Sequence, residues 1–228
     1  MTEDYYIRMR YQMSSTSLNR KSGCLLLDFQ FTFEKHCVKM ASMSFFWLAV
    51  LFEGGLAIVA LFADLFFRLG LNYWQYVKFD NATPLQIVLG LLPLIAGYFV
   101  LQWLPFAALR QIDRVVRELF QQHMAHWKLG QLALVATFAG LGEELFFRGL
   151  LQLGLSIFVD VWLAILLTSL IFGLAHAVTF LYCILAFLVS LYLGLLFIHT
   201  DNLVVPIAVH ALYDFFVFMY IWFTPHRT

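Results

Sequence analysis

Six ionisable side chains lie in apolar stretches of the C-terminal half of the chain. They are Glu143, Glu144, Arg148, His176, His210 and Asp214. A charged group at the centre of a membrane-spanning helix costs about 2.5–3.5 kcal/mol, so the four charged members would together cost on the order of 10 kcal/mol if each faced lipid. We expect them instead to face one another or a hydrated cavity. Carboxylates and imidazoles held together in this way are suited to activating a water molecule.

The spacing of these residues favours shared helix faces. Glu144 and Arg148 are four residues apart, so they can form an ion pair on one face of a helix. His210 and Asp214 have the same spacing. Glu143 points about 100° around the helix from Glu144. One carboxylate can therefore pair with the arginine while the other faces a cavity.

The charge balance of the group indicates proton uptake or cation binding. Three carboxylates and one guanidinium leave a net charge of −2 when both histidines are neutral. A buried cluster with this charge is expected to take up protons, to charge a histidine or to hold a divalent cation. Each part also has a purely structural interpretation. Either histidine can form an interhelical hydrogen bond, Glu144 and Arg148 can clamp a helix, and Asp214 can fix the tautomer of His210.

The elements that must position these residues are apolar helices. The chain has 228 residues, of which 62% are hydrophobic and 12% charged, whereas soluble domains carry about 25% charged residues. About 20 apolar residues span a bilayer as a helix. Six candidate spans meet this requirement: 44–67, 85–107, 131–156, 161–178, 180–198 and 203–223. We predict an all-α polytopic membrane bundle of about six transmembrane helices. For Glu53 and Asp64, in the first span, lipid-edge or helix-packing roles are favoured, and a functional role is the alternative.

An amphipathic helix is predicted between the second and third spans. Apolar residues recur there at helical spacing (Leu109, Ile112, Val116, Leu119, Phe120 and Met124), with three arginines between them (Arg110, Arg114 and Arg117). This pattern is typical of a helix that lies at the membrane surface; a solvated linker helix is the alternative. The positive charges favour a cytoplasmic position, and six spans would then place both termini in the cytoplasm. The zero net charge gives no indication of a nucleic-acid partner.

The N-terminal residues differ from the rest in being more polar. Residues 27–34, LDFQFTFE, alternate as a strand does. Met40 and Met43 directly precede the first apolar run, so the preceding residues are either a cytoplasmic extension or an untranslated part of the reading frame. The chain accordingly divides into an N-terminal extension (1–39), two transmembrane helices (40–107), an interfacial helix (108–130) and a catalytic transmembrane core (131–228).

Three short motifs carry a resemblance to a known family. EELFFR (143–148), FGLAH (172–176) and HALYD (210–214) follow one another on successive predicted spans. In this order they resemble the motifs of the CPBP family, also called the Abi family, which includes CAAX prenyl proteases and bacteriocin-processing enzymes. The resemblance covers about residues 108–223.

The resemblance implies an intramembrane endopeptidase that acts on membrane proteins or peptides. By the same match Glu143 is the general base and His176 is its partner, while His210 stabilises the oxyanion or binds a metal. Glu144 and Arg148 are then supporting groups. A zinc or other divalent cation, if one is used, would be held by Glu143, His176 and His210. The family is usually described as metalloproteases, and a metal-free, glutamate-based mechanism is the alternative.

The last motif departs from the prenyl-protease subgroup, which has asparagine where this chain has Asp214. An asparagine amide can donate a hydrogen bond to an oxyanion, whereas an ionised aspartate cannot. Asp214 is therefore expected to be protonated, to ligate a cation or to orient His210. This departure favours the bacterial branch of the family and a bacterial cell membrane. A proton-coupled transporter and a non-catalytic membrane scaffold are the alternatives, although no inverted repeat typical of transporters is visible.

Overall fold

The computed structural model describes the backbone of residues 22–224 and the side chains of residues 43–224. The chain divides into two units, Met1–Ala41 and Ser42–Thr228, and every side chain discussed below belongs to the second. Seven α-helices and one short 3₁₀ helix are described. They are α1 (Ser22–Phe67), the 3₁₀ helix (Tyr73–Tyr76), α2 (Thr83–Trp103), α3 (Ala107–His123), α4 (Leu129–Leu155), α5 (Val161–Ala175), α6 (Phe180–Thr200) and α7 (Val204–Phe223). The described residues contain no strand, which confirms the all-α prediction.

Five helical segments are long and apolar enough to cross a membrane. They are Met43–Phe67 of α1, α2, α4, α6 and α7. The remaining predicted span, 161–178, is the shorter α5, which has 15 residues and a length of about 22 Å against a hydrocarbon core of about 30 Å. A short link follows it, in which the Thr179 hydroxyl caps α6 by accepting from the N–H of Tyr182 at 3.1 Å. The early end of α5 leaves His176 just beyond the helix.

The alternation of residues 27–34 indicated a strand, which was wrong, because these residues lie inside α1. An isolated strand leaves its backbone N–H and C=O groups without partners, whereas a helix satisfies them within the segment. Alternation alone therefore does not select a strand when no partner strand is present.

Much of the outer surface of the bundle is apolar. Along α2, the side chains of Leu85, Val88, Leu89 and Leu92 are all exposed. In water such a surface would drive association, but lipid chains are as apolar as leucine and impose no such penalty. The exposed rows therefore fit the integral membrane protein that the composition predicts.

The amphipathic α3 packs its apolar face against the bundle. Phe120 is buried in a cluster with Trp127 and other apolar residues. Arg117, one of the three arginines of the polar pattern, is also buried. Its Nε donates to Asp113 at 2.8 Å, and its Nη1 donates to the carbonyl of Thr224 at 2.6 Å. This arginine therefore anchors α3 to the end of α7.

Asn202 ties together two loops at the opposite end of the bundle. Its side-chain amide donates to the Lys78 carbonyl at 3.0 Å and to the Thr83 hydroxyl at 3.1 Å. Its oxygen accepts from the N–H of Val204 at 3.1 Å. Next to it, the hydrogen bonds that Asp80 accepts from Thr83 lower the pKa of this carboxyl below its ordinary value. These contacts hold the starts of α2 and α7 in register.

Close contact between α4 and α7 depends on a residue without a side chain. A Cβ added at Gly140 would lie 2.7 Å from the Ile207 carbonyl oxygen and 2.8 Å from the backbone nitrogen of Ala211. Small residues allow helix backbones to approach closely in membranes. The approach brings the middle of α4 next to the turn of α7 that carries His210.

Candidate active site

Glu143 lies between the two histidines of the motifs. Its Oε1 is 3.8 Å from His176 Nε2, and its Oε2 is 3.9 Å from His210 Nε2. Both separations exceed a hydrogen bond. The Glu143 side chain is 10% exposed, and its Oε2 is buried without a hydrogen-bond partner. The carboxylate therefore faces both imidazoles without being paired directly to either.

Glu144 holds the other side of His210. Its Oε1 accepts from His210 Nδ1 at 2.7 Å and from Arg148 Nη1 at 3.0 Å. Arg148 in turn donates through Nη2 to the carbonyl (2.7 Å) and the hydroxyl (3.0 Å) of Ser190 on α6. Glu144 and Arg148 are both completely buried. The ion pair predicted from their spacing is present, and it also connects α4 to α6 and α7.

The two carboxylates of α4 thus lie on opposite sides of the His210 imidazole ring. Glu144 faces Nδ1 of His210 and Glu143 faces Nε2. A carboxylate that accepts from Nδ1 requires a proton there in either charge state of the ring. Nε2 is therefore the nitrogen that meets Glu143.

His176 is oriented by its own helix end. Its Nδ1 lies 2.9 Å from the carbonyl oxygen of Phe172, which can only accept, so Nδ1 carries a proton. Its ring stacks on the Phe172 ring with centroids 4.3 Å apart. The Phe172 ring also lies 5.5 Å from the Arg148 guanidinium carbon. The packing of Phe172 therefore turns Nε2 of His176 towards Glu143.

Asp214 lies near the nitrogen of His210 that also faces Glu143. Its Oδ2 is 3.5 Å from His210 Nε2, while Nδ1 is taken by Glu144. Glu144, and not Asp214, therefore fixes the His210 tautomer. The Asp214 side chain is 28% exposed and that of His176 is 31% exposed, so both lie on the accessible side of the cluster.

All six residues singled out in the sequence come together in three dimensions. Two features of α4 accompany this arrangement. First, the segment Leu145–Gln152, directly after Glu144, is a π-helix, a form that is rare and occurs frequently at functional sites. Second, Gln152 extends the buried polar row by donating to the Gly194 carbonyl at 3.3 Å.

Glu53 lies beside the cluster, in accord with the functional alternative and not with the favoured lipid-edge role. It does not face lipid: its Oε2 is buried without a hydrogen-bond partner, and the carboxyl interacts electrostatically with Glu143, Asp214 and both histidines. Its carbonyl oxygen packs directly on Gly142 of α4. An ionisable residue within an apolar span is by default a functional candidate, which supports the functional alternative. With Glu53, α1 contributes a further carboxyl to the cluster.

Replacing Gly142 with alanine is expected to separate α1 from α4. The added Cβ would overlap the Glu53 carbonyl oxygen, and overpacking of this kind costs about 1–3 kcal/mol. We expect a lower melting temperature in detergent than that of the wild type. Gly97→Ala is the matched control, because no atom lies within 4 Å of its added Cβ and alanine is favoured in a helix by about 1 kcal/mol. Equal effects of the two changes would contradict the close contact.

The donor groups of the site suit a divalent cation chemically but are not arranged around one. Carboxylate oxygen and imidazole nitrogen are common zinc ligands, and Glu143, His176 and His210 supply them. In the described part of the chain, however, no group of three His, Cys, Asp or Glu side chains has the spacing of a metal centre. Glu143, His176 and His210 therefore do not form a preassembled three-ligand metal centre, and they are the residues that would hold a divalent cation if one is bound.

The fold and the site together define an integral membrane protein that encloses a carboxylate–histidine cluster. Residues 125–216 match the family described as type II CAAX prenyl endopeptidase Rce1-like. The match contains all six motif residues and confirms the resemblance to the CAAX protease family; α1, α2 and α3 lie outside it. No curated protein and no solved structure matches the chain. The family indicates a membrane-embedded protease of the CAAX type.

Proposed function

We propose that the chain hydrolyses peptide bonds of membrane-associated proteins or peptides, with Glu143 as the general base. The observation that carries the proposal is the placement of Glu143 against the Nε2 atoms of His176 and His210 at 3.8 and 3.9 Å. Each imidazole is held through its Nδ1 by another partner. A water molecule bound between these three groups has a proton acceptor beside it and a polar, partly enclosed environment.

In the proposed reaction, the Glu143 carboxylate takes a proton from this water molecule while the water oxygen attacks the substrate carbonyl carbon. His176 positions the water through Nε2. His210 lies opposite, where its Nε2 can stabilise the developing oxyanion when the ring carries a second proton. The carbon–nitrogen bond then breaks, and Glu143 returns its proton to the leaving amine. Glu144 and Arg148 act as positioning residues because they hold His210 and do not face Glu143.

The substrate must expose its backbone to reach this site. A peptide bond inside a membrane helix is shielded by its own hydrogen bonds. We therefore propose that the substrate is cleaved where it is locally unwound or extended. We further propose that the arginine-bearing α3 lies at the cytoplasmic surface of a bacterial cell membrane, in accord with the positive-inside rule.

The test is direct cleavage by purified protein in proteoliposomes. A library of membrane-anchored peptides would be incubated with the protein and the products analysed by mass spectrometry. The proposal requires new termini whose formation depends on Glu143. Proton flux across the vesicle membrane without any cleavage would instead favour the transporter interpretation.

Asp214→Asn is expected to retain cleavage within about tenfold of the wild type, which corresponds to less than about 1.4 kcal/mol of transition-state stabilisation. Asp214 does not hold the His210 tautomer, because Glu144 does, and an asparagine amide can still donate to an oxyanion. Initial rates on one cleaved peptide would measure the effect. A loss of more than a hundredfold would show that the carboxyl itself is required.

Chelation is expected to leave the cleavage rate unchanged, because the proposed mechanism uses the Glu143 carboxylate and the two imidazoles as they are arranged. Protein dialysed against a strong chelator would be assayed beside untreated protein, with the metal content of both measured by mass spectrometry. Loss of activity that zinc restores would contradict the metal-independent mechanism.

A further inference from the structure

Three buried polar atoms between α4 and α5 have no hydrogen-bond partner among the described residues. They are Nε of Arg148, Oε1 of Gln152 and Oγ1 of Thr168, on residues that are at most 2% exposed. Proteins pair most buried polar atoms with other protein groups or with ordered water. Arg148 and Gln152 both belong to the π-helical segment of α4, and the proposed reaction leaves all three atoms unused.

Two contacts show how α4 and α5 align in this region. A Cβ added at Gly194 of α6 would lie 2.9 Å from Gln152 Oε1 and 3.0 Å from Ile165 Cγ2. Gln152 is therefore level with Ile165. One turn away, the Arg148 guanidinium carbon lies 5.5 Å from the centre of the Phe172 ring, so Arg148 is close to the level of Phe172.

Thr168 falls between these two levels. It is three residues after Ile165 and four before Phe172, a spacing that puts all three on one face of α5. Along the helix axis it is about 4.5 Å from the first and about 6 Å from the second. Thr168 therefore faces α4 between Gln152 and Arg148, where the other two unpaired atoms lie.

The Thr168 hydroxyl is free for a ligand because it does not bond to its own helix. Serine and threonine inside helices often donate to the carbonyl four residues earlier. Thr137 donates in this way to Ala133 at 2.8 Å. Thr200 donates to Leu196 at 2.8 Å. Thr168 has the same option and makes no such bond.

The three atoms together suit water and not an ion. The Nε–H of Arg148 can only donate, Oε1 of Gln152 can only accept, and a hydroxyl can do both. The Gln152 amide is oriented by its Nε2, which donates to the Gly194 carbonyl at 3.3 Å. The guanidinium charge disfavours a cation, and the amide oxygen disfavours an anion. A water molecule can accept from Arg148, donate to Gln152 and bond to Thr168, and three hydrogen bonds are typical of a buried water.

We propose that Arg148, Gln152 and Thr168 bind one buried water molecule, which extends the chain of hydrogen bonds behind the candidate active site. The chain runs from His210 through Glu144 to Arg148, and the water connects it to α5. This water is separate from the attacking water of the proposed reaction, because it lies beyond Arg148 along α4. Gln152 and Thr168 are thus positioning residues that act on His210 through Arg148.

The first test is the melting temperature of Thr168→Val in detergent. Valine keeps the shape of threonine and removes the hydroxyl. If the hydroxyl binds water, the melting temperature should fall by about 2–4 °C, the effect of one hydrogen bond in a chain of this size. An unchanged or higher melting temperature would overturn the proposal, because it would show that the hydroxyl is buried without any partner. Thr137→Val, which removes an exposed hydroxyl bonded to its own helix, is the matched control and should have little effect.

The second test is direct observation of the water. A crystal structure of the wild-type protein at high resolution should contain a water peak at about 2.7–3.2 Å from all three atoms. The peak should be lost or displaced in Thr168→Val. A wild-type map that shows other internal waters but none between these atoms would overturn the proposal.

The positioning role is measured by cleavage, and this part rests on the proposed function. Thr168→Val should lower kcat by about tenfold or more with little change in KM, because a displacement of about 1 Å can cost about 10²-fold. Thr168→Ser keeps the hydroxyl and should keep kcat near that of the wild type. Equal kcat in all three proteins would overturn the positioning role. A wild type that cleaves no peptide would overturn the endopeptidase function, whereas the water site would still be decided by the melting temperature and the crystal structure.

Discussion

Glu143→Gln is expected to reduce cleavage by about 10²–10⁴-fold, the usual contribution of a positioned general base. Glutamine has the same shape but cannot accept the proton of the attacking water. The change should leave folding intact, because Glu143 makes no direct hydrogen bond to either histidine in the structure. The amide also removes one negative charge from a cluster of ionisable side chains in which negative charges outnumber positive ones. The measurement is the single-turnover cleavage rate in proteoliposomes together with the melting temperature in detergent.

The control for this change is Glu118→Gln, which alters a carboxyl on the exposed side of α3. The Glu118→Gln protein should cleave peptides at the wild-type rate. A Glu143→Gln protein that still processes peptides normally would remove the proposed mechanism. His176→Ala should be as inactive as Glu143→Gln if the two residues act on one water molecule, because effects of residues that act as a unit are not additive.

Glu144→Ala is expected to act on folding. It would leave the Arg148 guanidinium completely buried with no carboxylate partner, and breaking a buried ion pair from one side costs about 3–5 kcal/mol. It would also remove the group that holds His210 Nδ1. We expect a large fall in melting temperature and in the amount of protein that accumulates in the membrane.

The matched comparison is the Lys78–Asp201 ion pair, whose side chains are 39% and 66% exposed. Exposed pairs contribute about 0–1 kcal/mol, so Lys78→Ala should change stability little. Glu144→Gln tests the same site with a milder change, because the amide oxygen can still accept from Arg148. A Glu144→Ala protein as stable as the wild type would show that Arg148 finds another partner and that the pair does not support the site.

The membrane bundle and the clustering of six ionisable residues could both be predicted from the sequence, for one physical reason. Isolated charges in lipid are costly, so their presence in apolar spans requires that they meet. The Glu144–Arg148 pair follows from the same argument with helix periodicity added. The strand indicated by residues 27–34 was wrong because periodicity does not report whether partner strands exist. A functional role for Glu53 was only the second interpretation, because no motif or spacing connects the first span to the other ionisable residues.

What the sequence by itself determined was which helices form and which side chains must avoid lipid, because composition and local spacing decide both. Only the tertiary structure decided which nitrogen of His210 meets which carboxylate. It also decided that Glu144 contacts Nδ1 of His210 and thereby takes one of the three roles considered for Asp214, and that α1 brings Glu53 to Gly142. These are contacts between residues far apart in the chain. They depend on the close approach of helices at glycine residues and on the position at which α5 ends. No local sequence pattern specifies how closely two helices approach or where this helix ends.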